Sequence, residues 1–185
     1  MAKATSIKDA LKKWEQKNGE NVTQAEDVQL QFQYPPIAKM DGNLGTLQNC
    51  KKLSLSSNQI DRIVGIATLK NLKILSLARN NIRSLSGIEA LGETLEQLWI
   101  SYNFIDKLNA IDAMKQLKVF YIGNNTIRDW NEFQKLSSLP ALEDLLFCGN
   151  PLVENMDEAA YRKDVMKKLK GLKKLDGETI IRDED

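Results

Sequence analysis

Apolar residues recur in a fixed frame through the middle of the chain, most clearly between Thr94 and Ile105. The frame there reads L-x-x-L-x-I-x-x-N-x-I, with apolar side chains at Leu95, Leu98, Ile100 and Ile105. The alternation of Leu98 and Ile100 predicts a short strand with one buried face, because successive side chains of a strand point to opposite sides. The asparagine that follows predicts a turn at the end of that strand.

The same frame occurs five times, with a period of about 22 residues. Its asparagines are Asn58, Asn80, Asn103, Asn125 and Asn150. This period is too short for ankyrin or tetratricopeptide units and is typical of leucine-rich repeats. The sequence therefore predicts an α/β fold, a leucine-rich-repeat solenoid with a concave parallel β-sheet. The asparagine is expected to bond backbone groups of neighbouring turns that would otherwise be buried without a partner.

A helical cap is predicted at the N-terminal end, because a terminal repeat exposes core that needs a cover. Residues 5–17 predict an amphipathic helix that Thr5 or Ser6 can cap and that Asn18-Gly19 ends. Its apolar face is formed by Ile7, Ala10, Leu11 and Trp14. The helix also carries several lysines, so a lysine-rich docking helix is the alternative interpretation.

A second helical cap is predicted after Asn150-Pro151, where the repeat pattern changes. Residues 157–170 predict a helix, and residues 172–177 repeat the opening of one more strand. The last residues are predicted to be a mobile tail. The chain is expected to form one domain over residues 1–185, with an N-terminal capping helix (1–27), repeats (28–152), a C-terminal cap (153–177) and a tail (178–185).

The concave surface is predicted to carry an aromatic stripe. A strand of this frame points its leucines into the core and the residues between them onto the concave surface. Since parallel strands lie about 4.8 Å apart, Trp99, Tyr121 and Leu146 are expected to be neighbours, and we call these three residues the concave stripe. The column between the two central leucines contains Ser54, Ser76, Trp99, Tyr121 and Leu146, and the column before it contains Lys52, Ile74, Gln97, Val119 and Asp144.

The concave stripe is predicted to bind another protein. An apolar patch on a water-facing sheet has no role in folding, and aromatic residues with a polar rim are typical of interface centres. The alternative is that these side chains pack only on one another as cross-strand pairs. The candidate protein-binding residues are Lys52, Ser54, Ile74, Ser76, Arg79, Gln97, Trp99, Tyr102, Val119, Tyr121, Asp144 and Leu146.

Composition argues against several other classes of protein. The 185 residues include no histidine, which is the commonest general base and metal ligand, so we expect no metal site and no cofactor. Lys and Arg number 26 against 25 Asp and Glu, and this balance favours no particular partner. No apolar run approaches the roughly 20 residues of a membrane span, and the N-terminus lacks the apolar stretch of a secretory signal. We therefore expect no membrane association.

Neither cysteine nor any acidic pair suggests catalysis. Cys50 takes a position that leucine fills in sibling repeats, so a small buried apolar role is expected. Cys148 lies too many repeats away to form a disulfide with it. The neighbours Glu143 and Asp144 would project to opposite faces of a strand, and no glycine-rich phosphate loop is present. An enzymatic function is not expected.

Five lysines around the predicted C-terminal cap are a second candidate site. They could contact an acidic surface such as a tubulin tail, or phosphates. A solvated helix face explains them equally well, because Asp164, Asp176 and Glu178 lie among them. Nucleic-acid binding is not expected, since no aromatic residues are interleaved with the lysines. These residues are Lys167, Lys168, Lys170, Lys173 and Lys174.

Several segments along the whole chain are similar to one family. They are Met1–Lys8, the Pro35-Pro36-Ile37 turn with Lys39-Met40-Asp41, Leu72–Ile82, Thr94–Asn103 and Leu172–Gly177. These segments resemble the leucine-rich-repeat light chains of outer-arm axonemal dynein, the light chain 1 family. The chain departs from the family pattern at Gln97, where an acidic residue is usual, and in its short acidic ending.

The resemblance implies a non-catalytic subunit of the cytoplasm and of the ciliary or flagellar axoneme, monomeric by itself. It implies attachment to an outer-arm dynein heavy chain, at the microtubule-binding domain of the stalk tip, with modulation of the motor. Trp99, Tyr102, Tyr121 and Leu146 would anchor that domain on the concave face, and direct contact with tubulin or the microtubule is left open. The alternative function is a regulatory scaffold of a phosphatase or a nuclear complex built from the same repeats.

Overall fold

A computed structural model describes residues 3–182 and contains one sheet of eight short strands. The strands are β1 (Asp27–Gln29), β2 (Lys52–Ser54), β3 (Ile74–Ser76), β4 (Gln97–Trp99), β5 (Val119–Tyr121), β6 (Asp144–Leu146), β7 (Lys174–Leu175) and β8 (Glu178–Thr179). Each strand pairs with the next one along the chain, in parallel from β1 to β7 and antiparallel between β7 and β8. The predicted leucine-rich-repeat solenoid is confirmed.

One short helix and several 3-10 turns form return segments opposite the sheet, and two longer helices lie at the two ends of the solenoid. The helices are α1 (Ile7–Asn18), α2 (Trp130–Gln134) and α3 (Glu158–Lys168), and the 3-10 turns are Gly42–Thr46, Ile88–Leu91, Ile111–Ala113 and Lys135–Ser138. Such turns suit a repeat of about 22 residues, because too few residues remain after the strand for a long helix. Ile88 and Leu91 are both fully buried, as expected when residues three apart eclipse in a 3-10 turn.

The apolar positions of the repeat frame form one continuous core between the sheet and the return segments. Leu53, Leu75, Leu98, Phe120 and Leu145 occupy equivalent positions in adjacent strands, and none of them is exposed. The predicted burial of Cys50 is confirmed, and both cysteines are free thiols. Burial raises the pKa of the Cys50 thiol to about 11, since the uncharged form is favoured away from water.

The asparagine of each repeat ties its own turn of the solenoid to the preceding turn. At Asn103, Oδ1 accepts a hydrogen bond from the Ile82 amide at 2.9 Å, and Nδ2 donates to the carbonyls of Leu77 and Ile100, both at 3.0 Å. The same bonding pattern occurs at Asn58, Asn80, Asn125 and Asn150. The expected role of asparagine is thereby confirmed, and it leaves fewer buried backbone groups unpaired.

Helix α1 begins at Ile7, where the side chain of Ser6 accepts a hydrogen bond from the Asp9 amide at 3.1 Å. It ends at Gly19, whose left-handed conformation (φ 66°) lets its amide donate to the Glu15 carbonyl at 2.8 Å. The predicted apolar face is buried and joins the core at the N-terminal end of the array. The helix thus starts two residues and ends one residue later than the sequence pattern indicated.

Residues 178–182 of the predicted tail contact the C-terminal cap, while the mobility of the tail stays a prediction. Asp176 and Gly177 both adopt left-handed conformations (φ 51° and 87°) and reverse the chain, so that β8 pairs antiparallel with β7. The Arg182 guanidinium then donates to the carbonyls of Met166, Leu169 and Leu172 at 3.0 to 3.2 Å. These carbonyls at and beyond the end of α3 need donors, which the arginine supplies. Residues 183–185 of the predicted tail lie outside the described residues.

Candidate protein-binding face

The strand register brings the predicted concave columns together. Ser76 lies opposite Trp99, Trp99 opposite Tyr121, and Tyr121 opposite Leu146 in neighbouring parallel strands. The indole of Trp99 and the ring of Tyr121 stack with their centroids 6.1 Å apart and an angle of 18° between their planes. All three members of the concave stripe remain partly exposed. The predicted adjacency of the stripe is therefore confirmed, while its binding role stays a prediction.

A carboxylate from the neighbouring strand holds the ring of Tyr121 in place. The Tyr121 hydroxyl donates to Oδ2 of Asp144 at 2.9 Å. Partial burial raises the pKa of the Tyr121 hydroxyl, and the bond to Asp144 and the charge of Asp144 raise it further. The phenol is thus an uncharged donor at neutral pH, and it presents its ring rather than its hydroxyl to a partner.

Two polar atoms on this face have no hydrogen-bond partner among residues 3–182. They are Nε1 of Trp99 and Oγ of Ser101, both shielded from solvent. Each such atom costs about 1–3 kcal/mol when it stays unpaired. Trp99 is the last residue of β4, and Ser101 follows it two residues later on the concave side. The face consequently carries a stability cost beside the concave stripe, which is typical of surfaces that serve binding.

Arg79 and Tyr102 flank the stripe beyond the ends of their strands. Both occupy the left-handed position that follows the strand (φ 55° and 58°), and Tyr102 is 47% exposed. The Arg79 guanidinium lies 4.2 Å from the centroid of the Tyr102 ring, in cation–π geometry. These two residues therefore form an outward-facing pair at the edge of the concave face rather than part of the sheet.

Other candidate residues form the rim. Lys52 lies 3.6 Å from Asp27 on β1, and Ile74, Gln97 and Val119 are partly exposed in the column beside the stripe. Ser54 and Ser76 are each only 8% exposed, so they offer a partner little surface. Their hydroxyls belong to a short network in which the Oγ atoms of Ser56 and Ser76 lie 2.6 Å apart.

Sequence reasoning missed the two ends of the concave columns. Asp27 and Gln29 on β1 extend them next to Lys52 and Ser54, and Lys174 on β7 lies opposite Asp144. Val28 and Leu30 alternate as in the clear repeats, so applying the repeat frame there would have found the first two. The short β7 segment lacks the asparagine turn and offered a weaker signal.

A ladder of ion pairs, also missed, runs along the edge where the strands begin. Glu96 binds Lys73 at 3.3 Å and Lys118 at 2.9 Å, from the repeats on either side. Hydrogen bonds from Lys118 and then Lys73 lower the pKa of the Glu96 carboxyl, against a small opposing effect of burial. Two further rungs are Lys51–Glu26 at 2.7 Å and Lys173–Glu143 at 2.8 Å.

The five C-terminal lysines do not converge on one patch. Lys173 is occupied by Glu143, and Lys174 lies in the concave column beside Asp144. Nζ of Lys168 lies 5.8 Å from the ring centroid of Trp130, on the convex side. Only Lys167 and Lys170 are exposed without any such contact among the described residues.

Within residues 3–182, no group of three or more Cys, Asp or Glu side chains has the arrangement of a metal site. The helices in this part of the chain are also too short or too polar to cross a membrane.

The repeat geometry and the concave face define a leucine-rich-repeat protein. Residues 48–90 match the family model described as Leucine Rich repeats (2 copies). A solved leucine-rich-repeat protein of Leptospira interrogans superposes with a TM-score of 0.64 at 26% identity, covering 80% of this chain and 36% of that one.

Relatives that match over the full length of the chain identify a family within the leucine-rich-repeat proteins. The chain is 54% identical over 186 aligned residues to dynein axonemal light chain 1 of Danio rerio, covering 100% of this chain and 97% of the relative. It is 50% identical to the protein of the same name from Chlamydomonas reinhardtii, covering 100% of this chain and 95% of that relative. The chain belongs to the axonemal dynein light chain 1 family.

Proposed function

We propose that the concave stripe binds the microtubule-binding domain at the stalk tip of an outer-arm dynein heavy chain and thereby modulates the motor. Membership of the axonemal dynein light chain 1 family makes the protein a non-enzymatic light chain of the ciliary or flagellar axoneme, associated with a dynein heavy chain. The stalk tip as the partner, the concave face as the contact and the modulation of the motor are our proposal.

The observation that carries the proposal is the partly exposed stack of Trp99 and Tyr121 at the centre of the concave sheet. Tryptophan and tyrosine at the centre of an apolar patch are the residues that most often dominate binding energy. Leu146 extends the patch, and Gln97 and Asp144 border it with polar groups. An apolar centre with a polar rim is the usual organisation of a protein–protein interface.

The residues beyond the stripe are small. Ser101 and Gly123 follow Trp99 and Tyr121 on the concave side. A Cβ at Gly123 would lie 2.9 Å from the Cys148 carbonyl, so the neighbouring turn of the solenoid itself excludes a larger side chain there. A helix or loop of the partner can approach the sheet over these small residues, with its side chains against Trp99 and Tyr121.

The stripe variant Trp99→Ala/Tyr121→Ala tests the contact. We expect it to lose capture of the purified stalk-tip domain, while circular dichroism and urea unfolding show an intact fold. Phe104→Ala is the matched control, because Phe104 is equally aromatic and 46% exposed but lies outside the concave columns. Capture of the stalk-tip domain by the folded stripe variant at wild-type affinity would exclude the concave stripe as the contact.

Modulation of the motor is tested separately from binding to the heavy chain. Microtubule co-sedimentation of the stalk-tip domain, with and without the light chain, reports whether the contact changes microtubule affinity. An unchanged affinity at saturating light chain would contradict modulation at this step. We further propose that the protein is monomeric by itself, which sedimentation velocity tests directly.

A direct tubulin contact is a separate proposal, and Lys167 and Lys170 are its best-placed residues because they are exposed and unpaired among the described residues. We expect Lys167→Glu/Lys170→Glu to weaken co-sedimentation of the complex with microtubules at low salt and to leave capture of the stalk-tip domain unchanged. Equal co-sedimentation of the variant complex would remove these lysines from the interface.

A further inference from the structure

We propose that the groove between α1 and β1 at the N-terminal end of the solenoid binds an extended acidic polypeptide, which adds to the sheet as a strand beside β1. This edge groove has a volume of about 700 Å³ and lies away from the concave stripe. Its lining includes Lys13 and Lys17 on the helix and Gln29, Gln31 and Gln33 on and after the strand. The inference does not depend on the function of the stripe.

The free edge of β1 supplies backbone groups for a further strand. Among the described strands, β1 pairs only with β2. The amides of Leu30 and Phe32 donate to β2, at the carbonyls of Ser54 (2.8 Å) and Ser56 (3.3 Å). Since backbone groups alternate in direction along a strand, those of Gln29 on β1 and of Gln31 just after it point to the open edge. The Gln31 carbonyl has only a long contact there, with Nε2 of Gln33 at 3.5 Å. An unpaired edge is a template for strand addition.

An unpaired acceptor in the groove favours a peptide over other polyanions. Oε1 of Gln31 is shielded from solvent and has no hydrogen-bond partner among residues 3–182. A peptide backbone carries N–H donors for the strand carbonyls and, once the partly exposed Gln31 side chain turns towards the groove, for this oxygen. A phosphodiester backbone has no such donors, so single-stranded nucleic acid fits the groove less well.

The lysines on the helix side of the groove favour an acidic peptide. Within the described residues, no carboxylate lies within 4 Å of Lys12, Lys13 or Lys17. Two acidic residues of the helix are already engaged locally. Asp9 accepts from the Ser6 hydroxyl at 2.7 Å, and Glu15 accepts from the Val22 amide at 3.0 Å. Glu20 and Asp27 also line the groove, and Asp27 accepts a hydrogen bond from the Gln29 side chain and lies 3.6 Å from Lys52. Lys13 and Lys17 are thus the charges that the helix itself presents to the groove without a carboxylate partner among the described residues.

The spacing of the lysines matches an added strand. Lys13 and Lys17 are one helical turn apart, which corresponds to a rise of about 6 Å. Alternate residues of an extended chain are separated by about 6.6 Å and point to the same side. A peptide with an acidic residue at every second position would therefore present one carboxylate to each lysine.

Two aromatic side chains mark the end of the groove. Phe32 is 76% exposed and Tyr34 is 90% exposed, the highest values for aromatic residues in the described part of the chain. They can contact an apolar residue at the end of the bound segment. A lipid surface is less suitable, because the apolar face of α1 is buried in the core and is not available for insertion.

The experiment measures fluorescence anisotropy of a labelled peptide of alternating Glu and Thr, long enough to span the β1 edge. We expect saturable binding and amide chemical-shift changes in residues 27–33. Lys13→Glu/Lys17→Glu should weaken binding by about tenfold, since two attractive contacts become repulsive. The control Lys70→Glu/Lys163→Glu changes the same net charge at exposed sites elsewhere and should leave the affinity unchanged.

Phe32→Ser tests the aromatic end without changing the backbone, because Ser57 holds the equivalent left-handed position in the next repeat (φ 54°, against 55° at Phe32). Phe104→Thr is its control, since Thr126 takes that place in the following repeat. Only Phe32→Ser should reduce affinity. The stripe variant Trp99→Ala/Tyr121→Ala should bind the peptide normally, which separates this site from the proposed heavy-chain contact.

Two modified peptides distinguish strand addition from charge attraction alone. Replacing Glu by Gln should abolish binding, and methylating alternate backbone nitrogens should abolish it with the charge retained. Binding of the methylated peptide, no binding of the Glu-Thr peptide, or shifts remote from β1 would overturn the proposal. So would tighter, lysine-dependent binding of oligothymidine or of phosphatidylserine-containing vesicles.

Discussion

Trp99 and Tyr121 come from adjacent repeats, and their rings stack 6.1 Å apart across neighbouring parallel strands. The stack occupies the centre of the concave face, whose other columns carry smaller or polar side chains. Aromatic pairs of this kind contribute stability beyond the area that they bury.

A double-mutant cycle measures this contact in the free protein. We expect Trp99→Leu and Tyr121→Leu to show a coupling of about 0.5–1.5 kcal/mol in urea unfolding. The same cycle between Trp99 and Tyr34 should give no coupling, because Tyr34 lies at the distant N-terminal end of the solenoid. Additive effects of Trp99→Leu and Tyr121→Leu would mean that the rings contribute independently.

Asn103→Ala should be strongly destabilising. The substitution leaves the Ile82 amide and the carbonyls of Leu77 and Ile100 without their side-chain partner in the core. We expect a loss of about 3–5 kcal/mol in the free energy of unfolding. Asn81→Ala, at an exposed neighbouring asparagine, should change it by less than about 0.5 kcal/mol. Similar losses for both variants would contradict a specific role of the buried asparagine in each repeat.

Cys50 makes stability sensitive to alkaline pH. Its folded-state pKa of about 11 lies above the ordinary value of 9.0, so the folded protein holds the thiol proton more tightly than the unfolded chain. The resulting contribution is complete below pH 9 and is lost as the pH rises from 9 to 11, by about 2 kcal/mol. Cys50→Ala and Cys50→Leu should both show a shallower decline of stability over this range.

Tyr121 and Tyr161 also have raised pKa values and titrate at alkaline pH in every variant. The informative quantity is therefore the difference in slope between wild type and each Cys50 variant. Identical slopes in all three proteins would show that the Cys50 thiol does not couple to folding. Leucine is a suitable replacement because Leu72 and Leu95 occupy the equivalent position in the next two repeats.

Glu96 should link stability to salt and to acid. Its carboxylate bridges Lys73 and Lys118, and its lowered pKa means that this contribution is present above the ordinary carboxyl pKa and is lost as pH falls through the folded value. We expect Glu96→Gln to cost less than about 1 kcal/mol at low ionic strength and less still in 1 M salt. Unfolding curves at the two salt concentrations check this, and a loss that is equal in both would exclude an electrostatic origin.

Arg182 should stabilise the C-terminal cap. Arg182→Ala removes the donor shared by three carbonyls around the end of α3. We expect a loss of about 1–2 kcal/mol and faster amide hydrogen exchange in the last turn of α3. Arg128→Ala, which also removes an exposed arginine, should leave exchange in α3 unchanged. Unchanged exchange in both variants would indicate that residues 180–182 do not hold the helix end.

Most of the solenoid could be predicted because its rules are local and repeated. Leu98 and Ile100 point inward for the same reason as Leu75 and Leu77, and five copies of the frame fix the strand register. The predicted neighbours Trp99 and Tyr121 followed from this register alone. Their binding partner did not, because the chemistry of a docking surface depends on a second molecule.

The sequence did not predict contacts between segments that share no repeat frame. Residues 178–182 lie beyond the repeats, and their placement depends on the left-handed turn at Asp176 and on the carbonyls at the end of α3 that accept hydrogen bonds from Arg182. The dispersal of the C-terminal lysines has the same origin. Neighbours in sequence, such as Lys173 and Lys174, are directed to different surfaces because one lies in the ion-pair ladder and the other in the concave column.

The sequence by itself determined the repeat, the inward leucines, the buried asparagine of each repeat and the order of side chains across the sheet, since each follows from periodicity and residue size. Tertiary structure decided which of those side chains remain exposed and which polar atoms lack partners. Ser76 is nearly buried beside the partly exposed Trp99, and Gln31 Oε1 has no hydrogen-bond partner among the described residues next to an open strand edge. The exposure and the hydrogen bonding of a side chain depend on all the elements that surround it in space. The local sequence does not specify those elements.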